Sequence, residues 1–136
     1  MDIHEFIRLP HRFRWGGVSG DDCVMFCATW AQHLCGTDPA ARVRGTYSDE
    51  RGAYAVMTAK GGLVKMIGGG IEPLGFVRVM DDLRDGDIGV IRAPSAIDCV
   101  VREICAVRFG PLWVALGPNG VAGKRADHVA AWRYTP

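Results

Sequence analysis

Residues 15–36 constrain the fold more than any other stretch, because they carry the signals for both ends of an apolar helix. Apolar side chains recur there at the spacing of one helix face: Cys23, Phe26, Cys27, Trp30, Ala31 and Leu34. Asp21 or Asp22 can cap the N-terminus, and Gly36 can adopt the left-handed conformation that ends a helix. The sequence therefore predicts a helix that begins at Cys23 and buries one face.

A cysteine at the start of a helix has two interpretations. The helix dipole and the unpaired N–H groups of the first turn favour the thiolate, so Cys23 is a candidate nucleophile. The adjacent Asp21 and Asp22 oppose a second negative charge, and cysteine is among the most buried residue types. Cys23 is thus either reactive or structural, and Asp22 is either a helix cap or a residue beside the site.

The composition is that of a single globular domain over residues 1–136. With 49% hydrophobic residues, 23% charged residues and a formal charge of +1, the chain is neither disordered nor suited to nucleic acid. No apolar run approaches the roughly 20 residues of a membrane span. The five cysteines match no zinc or iron spacing, and the N-terminus lacks a cleavable export signal, so we expect reduced thiols, no metal and no cofactor.

The sequence divides into a helical half, residues 1–67, and a sheet half, residues 75–136. Helices are predicted over 1–9 and over 49–60, the latter capped by Ser48, with short helical turns over 39–43 and 63–67. Gly68-Gly69-Gly70 is interpreted as the breaker that separates the halves. Strands rich in valine and isoleucine are predicted over 76–80, 88–91, 97–107, 112–116 and 129–134. Helices followed by strands predict an α+β domain with helices on one face of a small antiparallel sheet.

Several short motifs keep a fixed order along most of the chain. They are Phe13-Arg14-Trp15-Gly16, Asp22-Cys23 with Phe26, Gly36-Thr37-Asp38-Pro39, Arg44-Gly45-Thr46-Tyr47, Gly61-Gly62-Leu63, Arg84-Asp85-Gly86-Asp87, Asn119-Gly120-Val121 and Ala131-Trp132-Arg133-Tyr134. Together they resemble a family of small tail proteins of phages and gene transfer agents. That family is distantly similar to the NlpC-type cell-wall peptidases.

The resemblance implies a papain-like α+β fold and a place in the tail of a phage-like particle assembled in the bacterial cytoplasm. It implies other tail-tip or baseplate proteins as partners and, at the level of the peptidases, cleavage of amide bonds in peptidoglycan. Cys23 matches the nucleophile position, and Gly86-Asp87 matches the pair that opens the strand before the histidine strand. No histidine follows, however: between Gly86 and Gly117 there is none, and Glu103, Ile104 and Cys105 lie near the expected place.

The remaining candidate for a catalytic base is His128, at the entrance of the last predicted strand and next to Asp127. Adjacent residues on a strand point to opposite faces, which weakens the pairing of Asp127 with His128. His33 lies ten residues beyond Cys23 on the same helix, about 15 Å along its axis, and is too far away.

Two functions remain open at this point. The first is a structural or docking component of the tail tip in which catalysis has degenerated, as the missing histidine indicates. The second is an active cysteine peptidase or amidase that thins peptidoglycan during DNA delivery, as Asp22-Cys23 at a helix start indicates.

Overall fold

A computed structural model, which describes residues 1–136, has four α-helices followed by a six-stranded antiparallel sheet. The helices are α1 (Ile3–Ile7), α2 (Cys23–Cys35), α3 (Glu50–Ala59) and α4 (Leu63–Ile71), with a 3-10 turn over Glu72–Leu74. The strands are β1 (Phe76–Val79), β2 (Ile88–Pro94), β3 (Val101–Phe109), β4 (Leu112–Gly117), β5 (Gly120–Lys124) and β6 (Asp127–Tyr134). The predicted α+β class, with helices before an antiparallel sheet, is confirmed.

The strands are arranged in the order β1-β6-β2-β3-β4-β5. The last strand of the chain therefore lies inside the sheet, paired with β1 on one side and β2 on the other. Strands β1 and β5 form the two edges. Because β6 is interior, the C-terminal segment is part of the core.

Helix α2 begins and ends where the sequence predicts. The side chain of Asp22 accepts the Met25 N–H at 2.9 Å, and Gly36 closes the helix at φ +82°. With 13 residues it is the longest helix, and it packs against β3 and β4. The prediction that Cys23 opens the longest helix, against an antiparallel sheet, is confirmed.

Hydrophobic side chains cover both faces of the sheet. Along β2, Ile88 and Val90 belong to the main core cluster, which also contains Phe26 and Trp132. Ile91 and Ala93 belong to a second cluster, built around Trp113. Successive residues of a strand point to opposite faces, so Ile88 and Val90 face away from Ile91 and Ala93. The two clusters therefore lie on opposite sides of the sheet.

The interpretation of the three glycines as a breaker is wrong, because α4 continues through them to Ile71. The physical reason is close packing. A Cβ at Gly68 would lie 3.3 Å from Cζ2 of Trp132 and 2.7 Å from Oε2 of Glu72. The missing side chain lets the helix approach Trp132, whose indole N–H donates to Glu72 at 2.9 Å.

The predicted short helical turn over 39–43 is present, with the Arg44 N–H donating to the Ala40 carbonyl at 3.0 Å. The predicted start of the next helix differs from the structure. The cap of α3 is Asp49, whose side chain accepts the Gly52 N–H at 2.8 Å, and not Ser48. Aspartate and serine are both good caps, so the choice between neighbouring residues depends on the incoming backbone.

The strand predicted over 97–107 begins later, at Val101. Side chains instead bond to the backbone of the preceding loop, with Ser95 accepting the Ile97 N–H and Asp98 accepting the Val100 N–H. Strand β5 had no predicted counterpart, because its sequence Gly-Val-Ala-Gly-Lys has one β-branched residue, Val121, and no aromatic residue, whereas strands are usually rich in both.

Candidate functional site

A cleft opens where β3 and β4 separate. The two strands pair only from Val107 to Phe109 with Leu112 to Val114. Beyond that point, residues of both strands line a cleft of about 1170 Å³, together with Cys23 at the start of α2. Further walls come from α3, α4, β5 and the loop before β3. The start of the longest helix thus meets a large concave surface.

The thiol of Cys23 is held in its protonated form. Burial, followed by the negative charge of Asp22, raises the pKa of Cys23 from 9.0 to about 12. The backbone N–H groups of Val24 and Cys105 favour the thiolate, but they do not offset the loss of hydration. At neutral pH the thiol therefore stays protonated, which leaves little nucleophile.

Two further thiols lie beside Cys23, and both are buried. The Cys27 thiol contacts Cys105, and burial, followed by this contact, raises the pKa of Cys27 well above its usual range. Cys105 is on β3 and lies near the position at which the resemblance predicts a histidine. A thiol has no basic ring nitrogen, so Cys105 cannot take the role that an imidazole would have as the base.

Asp22 is buried, and both of its carboxylate oxygens are used. One accepts the Met25 N–H of α2, and the other accepts the Gly16 N–H at 3.2 Å and the Tyr47 hydroxyl at 2.5 Å. Asp22 therefore caps α2 and ties it to two loops. Gly16, at φ +91°, sits directly against the Tyr47 carbonyl, so this approach has no room for a side chain.

Tyr47 is a neighbour of Cys23 that reasoning from sequence did not single out as a site residue. Burial, followed by its hydrogen bond to Asp22, raises the pKa of Tyr47 well above its usual range. The Tyr47 hydroxyl thus stays protonated and donates a hydrogen bond to Asp22. The only signal in the sequence was its place in the Arg44-Gly45-Thr46-Tyr47 motif.

Asp21 belongs to an ion-pair network centred on Arg44. The guanidinium donates to Asp21 at 3.0 Å, to Asp38 at 2.7 Å and to the Gly17 carbonyl at 3.0 Å. Burial raises the pKa of Asp21, although the bonds from Arg44 and Thr29 act in the opposite direction. These bonds join the glycine turn, α2 and the turn after α2.

The Gly86-Asp87 pair holds the entrance of β2. Buried Asp87 accepts the Arg84 N–H at 2.8 Å and two bonds from the Arg133 guanidinium at 2.8 and 2.9 Å. The Gly86 carbonyl accepts the indole N–H of Trp30 at 2.8 Å. The pair therefore links β2 to α2 and β6, and it has no contact of its own with the cleft.

No histidine lines the cleft. The His128 ring bonds to the Met80 carbonyl at 2.8 Å and lies 6.1 Å from the Trp113 ring. His128 is opposite Ile91, which belongs to the Trp113 cluster. Cys23 also packs against that cluster, but Cys23 lines the cleft and His128 does not. The structure therefore does not bring His128 to Cys23.

The other three histidines have partners elsewhere. His4 contacts Asp85 at 3.3 Å, His11 bonds to the Phe6 carbonyl at 2.5 Å, and His33 bonds to the Met1 carbonyl at 2.8 Å. All five cysteines are free thiols, and no group of three or more His, Cys, Asp or Glu side chains is arranged to hold a metal ion. No helix combines the length and apolar character needed to cross a bilayer.

The fold and the site define an α+β domain with an apolar cleft beside a protonated cysteine. Residues 4–134 match the family described as a domain of unknown function, DUF6950, and the chain belongs to that family. Neither a curated protein nor a solved structure matches the chain.

Proposed function

We propose that this protein is a structural component of the tail tip of a phage or gene transfer agent, with a papain-like, NlpC-type fold. Its cleft docks a neighbouring protein instead of cleaving peptidoglycan. The ordered motifs from Phe13 to Tyr134 support this ancestry. So does a helix that starts with cysteine and packs on an antiparallel sheet.

The observation that carries the docking role is the surroundings of Cys23. Acyl transfer to a cysteine needs a thiolate and a base within hydrogen-bond reach. Here the thiol has a pKa of about 12, a neighbouring thiol on β3, and a cleft without histidine. The residues around Cys23 serve the packing of α2 and its loops.

An active peptidase is the alternative, and the position of Cys23 at a helix N-terminus beside a cleft favours it. That mechanism needs His128 to leave its bond with the Met80 carbonyl and enter the cleft, which it does not line. Because β6 is an interior strand, such a move would disrupt its pairing with β2.

The test of the docking role is incubation of the purified protein with peptidoglycan, followed by mass spectrometry of released peptides. We expect no release above the level of a Cys23→Ala variant. If the native chain released peptides and the Cys23→Ala variant did not, the peptidase alternative would be supported instead.

The tail location is tested separately, by gold-labelled antibodies on purified particles. Labelling at the tail tip is the expected result. Particles that lack the protein would contradict the assignment to the tail, whatever the outcome of the peptidoglycan assay.

A further inference from the structure

Strand β5 offers a free edge beside the cleft. It pairs with β4 only and ends the sheet, and no other backbone hydrogen bond involves residues 121–124. Among the features by which natural edge strands block further pairing, it has one lysine, Lys124, but no proline and no bulge. Four of its five residues, Gly120, Val121, Ala122 and Lys124, line the cleft. The edge can therefore accept another strand whose side chains would reach the cleft.

The free charges that line the cleft are mainly positive. The chain has three lysines, Lys60, Lys65 and Lys124, and all three line the cleft, as does Arg42. None of these four cations forms an ion pair, although the Lys124 ammonium donates to the Pro94 carbonyl. Four carboxylates also line the cleft. Two of them, Asp22 and Asp38, have internal partners, which leaves Glu50 and Glu103 to oppose the positive charges. The balance favours an occupant with carboxylates.

The cleft walls are otherwise apolar. Of 46 lining residues 28 are hydrophobic, including Met57, Met66, Ile97 and Leu116, so an occupant must also supply apolar side chains. The volume of about 1170 Å³ exceeds the usual range of small-molecule pockets, which fits a peptide segment better than a small ligand.

We infer that the cleft binds an extended, acidic segment of a partner protein, which adds as a strand to the edge of β5 and places apolar side chains in the cleft. The inference rests on the proposed docking function, since it names the chemistry of the docked partner. Main-chain hydrogen bonds to the sheet edge would supply affinity, and the lysines would select a segment that alternates apolar and acidic residues.

The binding test uses a fluorescein-labelled peptide of alternating valine and glutamate, with a valine–lysine peptide of equal length as its counterpart. Fluorescence anisotropy should show binding of the acidic peptide only, weakening at high salt because exposed charges are screened. The double variant Lys60→Glu, Lys65→Glu should bind it about tenfold more weakly or worse. The matched control Arg8→Glu, Arg51→Glu makes the same charge change at exposed residues outside the cleft, and should bind like the native chain.

The mode of binding is tested by hydrogen exchange with the same peptide. Amides of β5 should gain protection, and those of the opposite edge strand β1 should not. Equal binding of the basic peptide, equal loss in both double variants, or protection confined to β1 would overturn the inference. So would a peptidoglycan stem peptide that protects β5 and displaces the acidic probe. Failure of the probe to bind, with peptidoglycan left intact, overturns this inference alone and leaves the proposed function standing.

Discussion

The backbone N–H of Cys105 on β3 points at the sulfur of Cys23 at the start of α2. A helix N-terminus that would activate a thiol in water here meets a buried sheet position instead. Burial and the Asp22 carboxylate outweigh the helix dipole, and the thiol stays protonated. This contact links the fold to the predicted absence of catalysis.

Alkylation of Cys23 should be slow at neutral pH and should accelerate only as the pH approaches about 12, since the thiolate is the reacting form. Iodoacetamide labelling followed by mass spectrometry measures the rate, with exposed Cys99 as an internal reference. His128→Ala should leave the rate unchanged. Fast labelling at pH 6 that depends on His128 would contradict the arrangement described here.

Stability should fall at alkaline pH because the folded state holds the Cys23 proton more tightly than the unfolded state does. A pKa raised from 9.0 to about 12 contributes stability that is complete below pH 9 and is lost as the pH rises toward 12. Urea unfolding of the native chain between pH 8 and 11 measures this loss. Cys23→Ala, compared across the same series, should show a shallower decline, and parallel curves would count against the raised pKa.

Two neighbouring glycines of α4 should respond in opposite ways to alanine. Gly69→Ala meets no atom within 4 Å and should stabilise the helix by about 0.5–1 kcal/mol, the usual gain over glycine. Gly68→Ala should instead lower the free energy of unfolding, because its Cβ would press on Trp132 and Glu72. Denaturant melts of the two variants give the comparison. A stabilised Gly68→Ala protein would show that α4 can move away from Trp132.

Removing the last strand should unfold the domain. Trp132 is fully buried, and truncation of a buried tryptophan to alanine typically costs about 3–5 kcal/mol, a large share of a domain's stability. Trp132→Ala should therefore melt at much lower denaturant, and a chain that ends at Asp127 should lose its cooperative transition. Calorimetry measures both, and Thr135→Ala is the control on an exposed residue outside the strand. A cooperative melt of the truncated chain would place β6 outside the core.

Structural features that depend on residues close together in the chain were predictable from the sequence. The start of α2, its apolar face and its end depend on Asp22, on a repeat along one helix and on Gly36, and all act within a few residues. The same holds for the strands that carry runs of valine and isoleucine. Strand β5 and the full length of α4 escaped prediction, because glycine-rich segments have weak local preferences and adopt the structure that their neighbours impose.

The site was decided by tertiary structure. Cys23 and Asp22 stand out in the sequence, but the protonation of Cys23 follows from its contact with Cys105, 82 residues away along the chain, and from burial between α2 and the sheet. The strand order β1-β6-β2-β3-β4-β5 puts β6 inside the sheet, and its register places His128 on the face away from Cys105. Strand order is set by which distant surfaces bury each other, and a local pattern of residues does not encode that choice.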